Sequence, residues 1–338
     1  MVENQMIYGL DAFANWLGQE HDSRFVYIFD ENTRVHCEPK MKQHNVHVDE
    51  TLVIASGEHH KHLGTCEKIW EQLMNLKADR NTIVVNVGGG MLTDTGGFAA
   101  ATFKRGIRFI NVPTTLLAMV DASIGNKTGV NFNGIKNQLG TFSPAHKIVI
   151  DTTFLATLSK AEIRSGLGEV LKYGFIYDQD ILSKNLDTIS IDMVKRCIEI
   201  KNEIVAQDPL ESGLRQILNF GHTIGHGLEA YGHQLEKPLK HGEGVALGML
   251  AECFLSEKKL GFTKLDTALD VIGSKFRVPD WLADEQSYQD ILEFVKHDKK
   301  NKGAEIRCTM LKDIAKPEYG QHLHEGEVID SLKWLATL

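Results

Sequence analysis

Five short apolar, largely β-branched runs punctuate the first half of the chain: FVYIFD (25–30), TLVIAS (51–56), TIVVNV (82–87), RFINV (108–112) and KIVID (147–151). Helix-like stretches such as HKHLGTCEKIWEQLMNLKA (60–78) lie between them. Strand–helix alternation predicts a parallel sheet with helices on both faces. After about residue 155 the strand signals nearly vanish. Ser159 and Glu162 stand at capping-box spacing and start a helix expected to end near Gly174. Further helical segments read near 179–186, 190–206, 212–230, 243–258, 264–272 and 287–297. GAEIRCTML (303–311) reads as a late strand pair or a helix-capping loop. The expected organisation is an α/β domain over 1–155 and an all-α or mostly α domain over 156–338.

A chain of 338 residues with 42% hydrophobic content has ample material for two such cores. Its formal net charge of -8 argues against nucleic acid or anionic membrane as a partner. An anionic small molecule would need a local cluster of Lys and Arg. The five cysteines, Cys37, Cys66, Cys197, Cys253 and Cys308, are scattered and form no CxxC pair. They read as reduced thiols of a cytoplasmic protein. The N-terminus lacks a basic segment followed by an apolar core, and no apolar run reaches membrane-spanning length.

In TIVVNVGGGMLTDTGGFAAATF, three glycines follow a buried-looking strand. Gly88, Gly89 and Gly90 let the backbone bend sharply and approach a ligand closely. Asp94 then reads as a helix N-cap. Such strand-to-helix turns suit phosphate groups, because free N–H groups and the helix dipole point at them. The spacing is not the GxGxxG dinucleotide fingerprint. A second dense segment, 105–140, carries Asp121, Lys127, Lys136 and Asn137 among glycines and small residues. Lys127 reads as lying in a glycine-flanked loop, where backbone amides and an ammonium can meet one phosphate.

The stretch SGLRQILNFGHTIGHGLEA (212–230) reads as one helix. Arg215, Asn219, His222 and His226 then fall at i, i+4, i+7 and i+11, a single stripe on one face. A solvated face would carry Glu and Lys instead. The HTIGH spacing resembles that of a zinc protease, but Thr223 stands where the general-base Glu would be. His241, in LKHGEG, is a third candidate ligand. A His/His/Glu site with an open position still needs a carboxylate. RSGLGEVLKYG offers Glu169, with Lys172 at i+3 on the same face.

Taken together, these stretches resemble the 3-dehydroquinate synthases and the wider sugar-phosphate cyclase family. The matching segments are DENT (30–33), SGEHHK (56–61), GGGMLTD (88–94), GFAAATFKRG (97–106), PTTLLAMVDASIGNKTGVN (113–131), KN (136–137), SGLGEVLKYG (165–174), KNEIVAQD (201–208), LRQILNFGHTIGHGLE (214–229), LKHGEG (239–244) and HDKKNKG (297–303). The resemblance implies a Rossmann-like NAD-binding domain followed by a helical metal- and substrate-binding domain. It places NAD near Asp30, Asn32, Glu58, Lys61, the Gly88–Asp94 turn with Gly89, Gly90 and Met91, and Thr114, Thr115, Asp121, Lys127, Lys136, Phe154 and Thr157. It gives Glu169, His222 and His241 to a divalent metal, zinc or alternatively cobalt. The implied substrate is a seven-carbon sugar-acid phosphate. Its carboxylate would look to Lys201 and Arg215; its phosphate would look to Lys127, Asn137, Asn219 and Lys299 or the adjoining Lys300, and to Arg105 from the partner of a homodimer. Asp121, Lys172, Glu211 and His226 would complete the polar network.

The implied chemistry is oxidation of a ring hydroxyl by metal and NAD together, elimination of phosphate, re-reduction, ring opening and aldol closure. NAD would therefore be catalytic and not consumed. Cyclases of neutral sugars such as sedoheptulose 7-phosphate or glucose 6-phosphate, and a polyol dehydrogenase that accumulates NADH, are the rival readings. This chain has Asn126 where the family usually has Gly, and Met91, Thr93 and Gly168 also differ from the commonest residues. Asn tolerates left-handed backbone better than most residues, so the turn can survive.

Overall fold

Because the strands of the first half are buried on both faces, they assemble as a parallel layer. The computed structural model describes residues 5–133, 135–297 and 305–338. The described chain divides into two units, Met1–Ser159 with Ile189–Asn202, and Lys160–Thr188 with Glu203–Leu338. Thus residues 189–202, beyond the 155/156 boundary read from the sequence, group with the first unit.

In chain order the first unit contains β1 (Met6–Tyr8), α1 (Leu10–Leu17), β2 (Phe25–Asp30), α2 (Glu31–His36), α3 (Glu38–Gln43), β3 (Glu50–Ile54), α4 (Leu63–Asn75), β4 (Ile83–Gly88), α5 (Gly90–Thr102) and β5 (Arg108–Pro113). Then follow β6 (Lys127–Phe132), β7 (Ile135–Phe142) and β8 (Lys147–Ile150). Six strands form one sheet in the order β1-β8-β5-β4-β2-β3, with every pair parallel. The chain leaves β2 in one direction to β3 and in the other to β4, so the strand order reverses between β2 and β4. Open parallel sheets bind ligands outside the carboxyl ends of strands at such a switch point. There the strands end in Asp30 and in Gly88, directly ahead of α5.

All five runs read as strands are strands. The glycine turn is tighter than expected, however. Gly89 is extended, and α5 begins at Gly90 with no side-chain cap. Asp94 is therefore inside the helix and is not its N-cap; its carboxylate accepts from Lys61 Nζ at 2.6 Å. Lys127 is the first residue of a strand, since β6 and β7 pair as an antiparallel hairpin that the Gly- and Asn-rich sequence concealed. Asn126 just before it has φ 64°, the left-handed backbone that its side chain tolerates.

In the second unit, α6 (Lys160–Ile176) precedes α7 (Ile191–Gln207), whose residues from Glu203 onward belong here. Then come α8 (His222–Gln234), α9 (His241–Leu260), α10 (Leu265–Gly273), α11 (Glu285–Lys296), β9 (Ile306–Asp313), β10 (Lys316–Leu323) and α12 (Glu325–Leu335). The unit is mostly helical, with β9 and β10 as one antiparallel pair, so 306–311 are strand and the all-α expectation is corrected to that extent. The segment 179–186 holds only a short 3₁₀ turn, Gln179–Ser183. Among the described residues, no helix is long and apolar enough to cross a membrane.

The expected single helix over 212–230 is broken. Leu214–Asn219 is a 3₁₀ turn, Phe220 leaves helical geometry at ψ 128°, and Gly221 is left-handed at φ 80°. A Cβ at Gly221 would lie 2.5 Å from the Val245 carbonyl oxygen, so contact with α9 forbids a larger residue in this reversal. Arg215 and Asn219 consequently do not share a helical stripe with His222 and His226.

Candidate metal centre

Three helices of the second unit meet through glycines. A Cβ at Gly242 would lie 1.7 Å from the Ser165 carbonyl oxygen, and one at Gly168 would lie 2.2 Å from that of Gly242. α6 and α9 therefore touch backbone to backbone. On another side of α9, a Cβ at Gly248 would lie 1.9 Å from the Gly221 carbonyl oxygen, and one at Gly225 would lie 2.6 Å from that of Gly244. The three candidate ligands are chain neighbours of these contacts: Glu169 follows Gly168, His222 follows Gly221, and His241 precedes Gly242. Side chains from three helices thereby converge without long reach.

α8 begins at His222, and its Gly221 cap has no side chain to satisfy the first N–H groups. Glu252, fully buried on α9, supplies the missing acceptor: Oε2 accepts from Gly221 N at 2.6 Å and Oε1 from Ile224 N at 3.5 Å. A carboxylate at a helix N-terminus also meets the favourable end of the helix dipole.

Within the cluster, Glu169 Oε1 lies 3.5 Å from His222 Nε2 and 3.3 Å from His241 Nε2. Its other oxygen accepts from Lys172 Nζ, and both residues are buried. His222 Nδ1 lies 3.1 Å from the Phe220 carbonyl oxygen. A carbonyl can only accept, so Nδ1 carries the proton and Nε2 is left as the ligand atom. His241 Nδ1 faces Glu229 Oε2 at 3.3 Å. Burial disfavours the His241 cation, but hydrogen bonds to Glu169 and Glu229 outweigh it and raise the pKa to about 9. The His226 ring completes a triangle, with centroids 5.3 Å from His222 and 5.8 Å from His241.

Ligand atoms of Glu169, His222 and His241 all lie within 4.8 Å of one another, and so do those of His226, Glu229 and His241. The first set offers one carboxylate oxygen and two imidazole nitrogens, a donor set suited to Zn²⁺ with an open coordination position. It therefore fits a divalent cation on chemistry and on the convergence of its atoms.

The other residues singled out in the second unit lie in the preceding loop. Glu211, left-handed at φ 62°, accepts from Asn219 Nδ2 at 3.1 Å. Arg215 is buried; its Nη1 donates to the Pro209 carbonyl at 2.7 Å and its backbone N to Asp208 Oδ2 at 3.0 Å. Asp208, which sequence reasoning passed over, organises this loop. Burial would raise its pKa, yet backbone N–H groups of Gly213, Ser212 and Arg215 hold it below the usual range. Glu229 and Glu252 were also passed over. Glu229 follows His226 by three residues, a helical spacing visible in the sequence, whereas Glu252 acts from another helix and leaves no local trace.

In the first unit, Asp30 and Thr33 form a capping box at the start of α2, with Asn32 exposed beside them. Lys61 and Asp94 form a largely buried ion pair close to the start of α5, where Gly89, Gly90 and Met91 are half-buried. Thr114 N donates to the Gly88 carbonyl at 3.0 Å, and the Thr115 methyl would touch a Cβ at Gly89 at 3.0 Å. Lys201 Nζ donates to the Asp121 carbonyl at 2.7 Å and to its Oδ1 at 2.9 Å. Asn131 links the hairpin to Glu58: its Oδ1 accepts from Asn137 N and its Nδ2 donates to Glu58 Oε1. Arg105, Lys127 and Lys136 are exposed, Phe154 is buried, and Thr157 Oγ1 donates to the Phe154 carbonyl. Lys299 and Lys300 lie outside the described residues.

The chain is similar to 2-deoxy-scyllo-inosose synthase complexed with carbaglucose-6-phosphate, NAD+ and Co2+ (TM-score 0.85, 22% identity, 97% of this chain and 96% of that one). It is also similar to the 2-epi-5-epi-valiolone synthase of Streptomyces hygroscopicus with NAD+ and Zn2+ bound (TM-score 0.81, 24% identity, 98% and 96%). The fold is that of the sugar-phosphate cyclases. The models of the 3-dehydroquinate synthase N-terminal and C-terminal regions match residues 51–165 and 166–301. The chain is 39% identical to the 3-dehydroquinate synthase of Parabacteroides distasonis, covering 93% of this chain and 91% of that protein. It is 41% identical to that of Methylacidiphilum infernorum over 88% and 84%. The chain belongs to the 3-dehydroquinate synthase family.

The glycine contacts carry a prediction. Gly242→Ala forces α6 and α9 apart beside His241 and should cost about 1–3 kcal/mol of stability. Zinc affinity, measured by competition with a chromophoric chelator, should fall in step with the melting temperature. Wild-type values of both would show that the contact does not set the cluster.

Proposed function

We propose that this chain is a metal- and NAD-dependent lyase that converts 3-deoxy-D-arabino-heptulosonate 7-phosphate into 3-dehydroquinate and phosphate, in the shikimate route to aromatic amino acids. The observation that carries the reading is the convergence of Glu169, His222 and His241 in a chain 39–41% identical to 3-dehydroquinate synthases. The solved relatives with NAD+ and Co2+ or Zn2+ support the same cofactor pair here. When bound, the cation would polarise a ring hydroxyl and NAD would take up and return its hydride.

The chain's own residues then have definable tasks. The carboxyl ends of β2 and β4, with the N-terminus of α5, suit a dinucleotide pyrophosphate. Lys172 pairs with the other oxygen of Glu169, and a neighbouring cation favours the carboxylate form that a cation ligand needs. His222 and His241 offer Nε2 as ligand atoms. Arg215, its guanidinium partly held by the Pro209 carbonyl, is suited to the substrate carboxylate. The resemblance that assigns Arg105 to a neighbouring subunit supports a homodimer, and the five buried cysteines, none of them in a disulfide, suit a reducing cytoplasm.

The test is phosphate release from 3-deoxy-D-arabino-heptulosonate 7-phosphate with NAD and Zn²⁺, beside glucose 6-phosphate and sedoheptulose 7-phosphate. The acid alone should turn over, without net NADH. Turnover of a neutral sugar would favour another sugar-phosphate cyclase, and NADH accumulation a polyol dehydrogenase. Arg215→Ala should lower kcat/KM for the acid by about 10- to 100-fold, because it leaves a substrate anion unpaired. Unaltered kinetics would remove Arg215 from this role.

A further inference from the structure

Both candidate histidine ligands show the same pattern: Nε2 faces Glu169 Oε1 and Nδ1 faces a hydrogen-bond acceptor. The acceptors differ. For His222 it is the Phe220 carbonyl, a neutral group of the same chain segment. For His241 it is Glu229 Oε2, a buried carboxylate brought from α8 to the first residue of α9. The mechanism above gives Glu229 no task.

We propose that Glu229 is a positioning residue for His241, fixing its tautomer and ring orientation so that Nε2 points at Glu169. This rests on the reading of Glu169, His222 and His241 as a divalent-cation site. A carboxylate behind a ligating imidazole keeps the proton on Nδ1 and makes Nε2 a better donor. It also supplies charge. Glu169 and Glu229 together carry two negative charges against the cation's two positive ones, while Lys172 remains beside Glu169. The orienting bond also bridges α8 and α9, so the helix that carries His222 sets the direction of His241.

The alternative use of Glu229 is as a direct ligand with His226 and His241, whose atoms also lie close together. The geometry favours the positioning role. His241 has one nitrogen toward each carboxylate, and on the Glu169 side His222 offers a second imidazole whose Nδ1 already faces a carbonyl, leaving Nε2 toward Glu169.

The experiment is zinc titration of the metal-free full-length chain against a chromophoric chelator, with Co²⁺ absorption spectra and melting temperatures of the metal-free proteins. Glu229→Gln should raise the zinc Kd by about 10- to 100-fold, at one metal per chain, and change the Co²⁺ spectrum. Glu229→Asp, which keeps the charge but withdraws the oxygens by one methylene, should lie between. In a His241→Ala background, Glu229→Gln should change the Kd no further, because its effect passes through that ring. A wild-type Kd in both Glu229 variants overturns the proposal. So does a full additional loss in the His241→Ala background, or a second metal per chain that disappears with Glu229. Failure of the wild-type chain to bind zinc would instead overturn the metal reading, and this proposal with it.

Discussion

Backbone contact at glycine is the constraint on which the second unit depends. Where Gly242 meets Ser165 and Gly248 meets Gly221, there is no room for a Cβ, and α6, α8 and α9 approach closer than side chains would allow. Interiors this tightly packed transmit small displacements. Glu169, His222 and His241 each sit one residue from such a contact, so helix packing and ligand geometry are one problem. Glu252 addresses the remaining weakness by capping α8 from α9 at the position where glycine cannot cap itself.

The charges obey the same economy. A buried carboxylate is tolerated only with partners that satisfy it. Glu169 has Lys172 on one oxygen and faces two imidazole nitrogens with the other, where a bound cation would satisfy all three; Glu229 has His241; Glu252 has backbone N–H groups. Three buried acids within two adjoining elements and α6 would otherwise oppose folding. In the first unit the corresponding device is topological. The strand order reverses between β2 and β4, and the backbone turn after β4 is left nearly bare of side chains.

Much of this was legible in the sequence for a physical reason. Strands buried on both faces read as continuous apolar runs, and all five such runs are strands. What escaped was set by long-range contact. β1 has three residues, too few for a pattern, and the β6–β7 hairpin is rich in Gly and Asn and largely exposed on its second strand. The 212–230 segment has helical periodicity, yet contact of Gly221 with α9 breaks it, which no local spacing records. The same holds at the site. His222 and His226 are paired by spacing, His241 and Glu169 were legible as further candidate ligands on other helices, and only the resemblance chose Glu169, His222 and His241 as the set. Glu229 was visible at helical spacing from His226, while its partner was not.

The measurement that bears most directly on this account is anomalous diffraction at the zinc absorption edge from crystals of the zinc-loaded chain. One peak bonded to Glu169, His222 Nε2 and His241 Nε2, with Glu229 still on His241 Nδ1, is the predicted result. A peak bonded to His226 and Glu229 in place of His222 and Glu169 would contradict it.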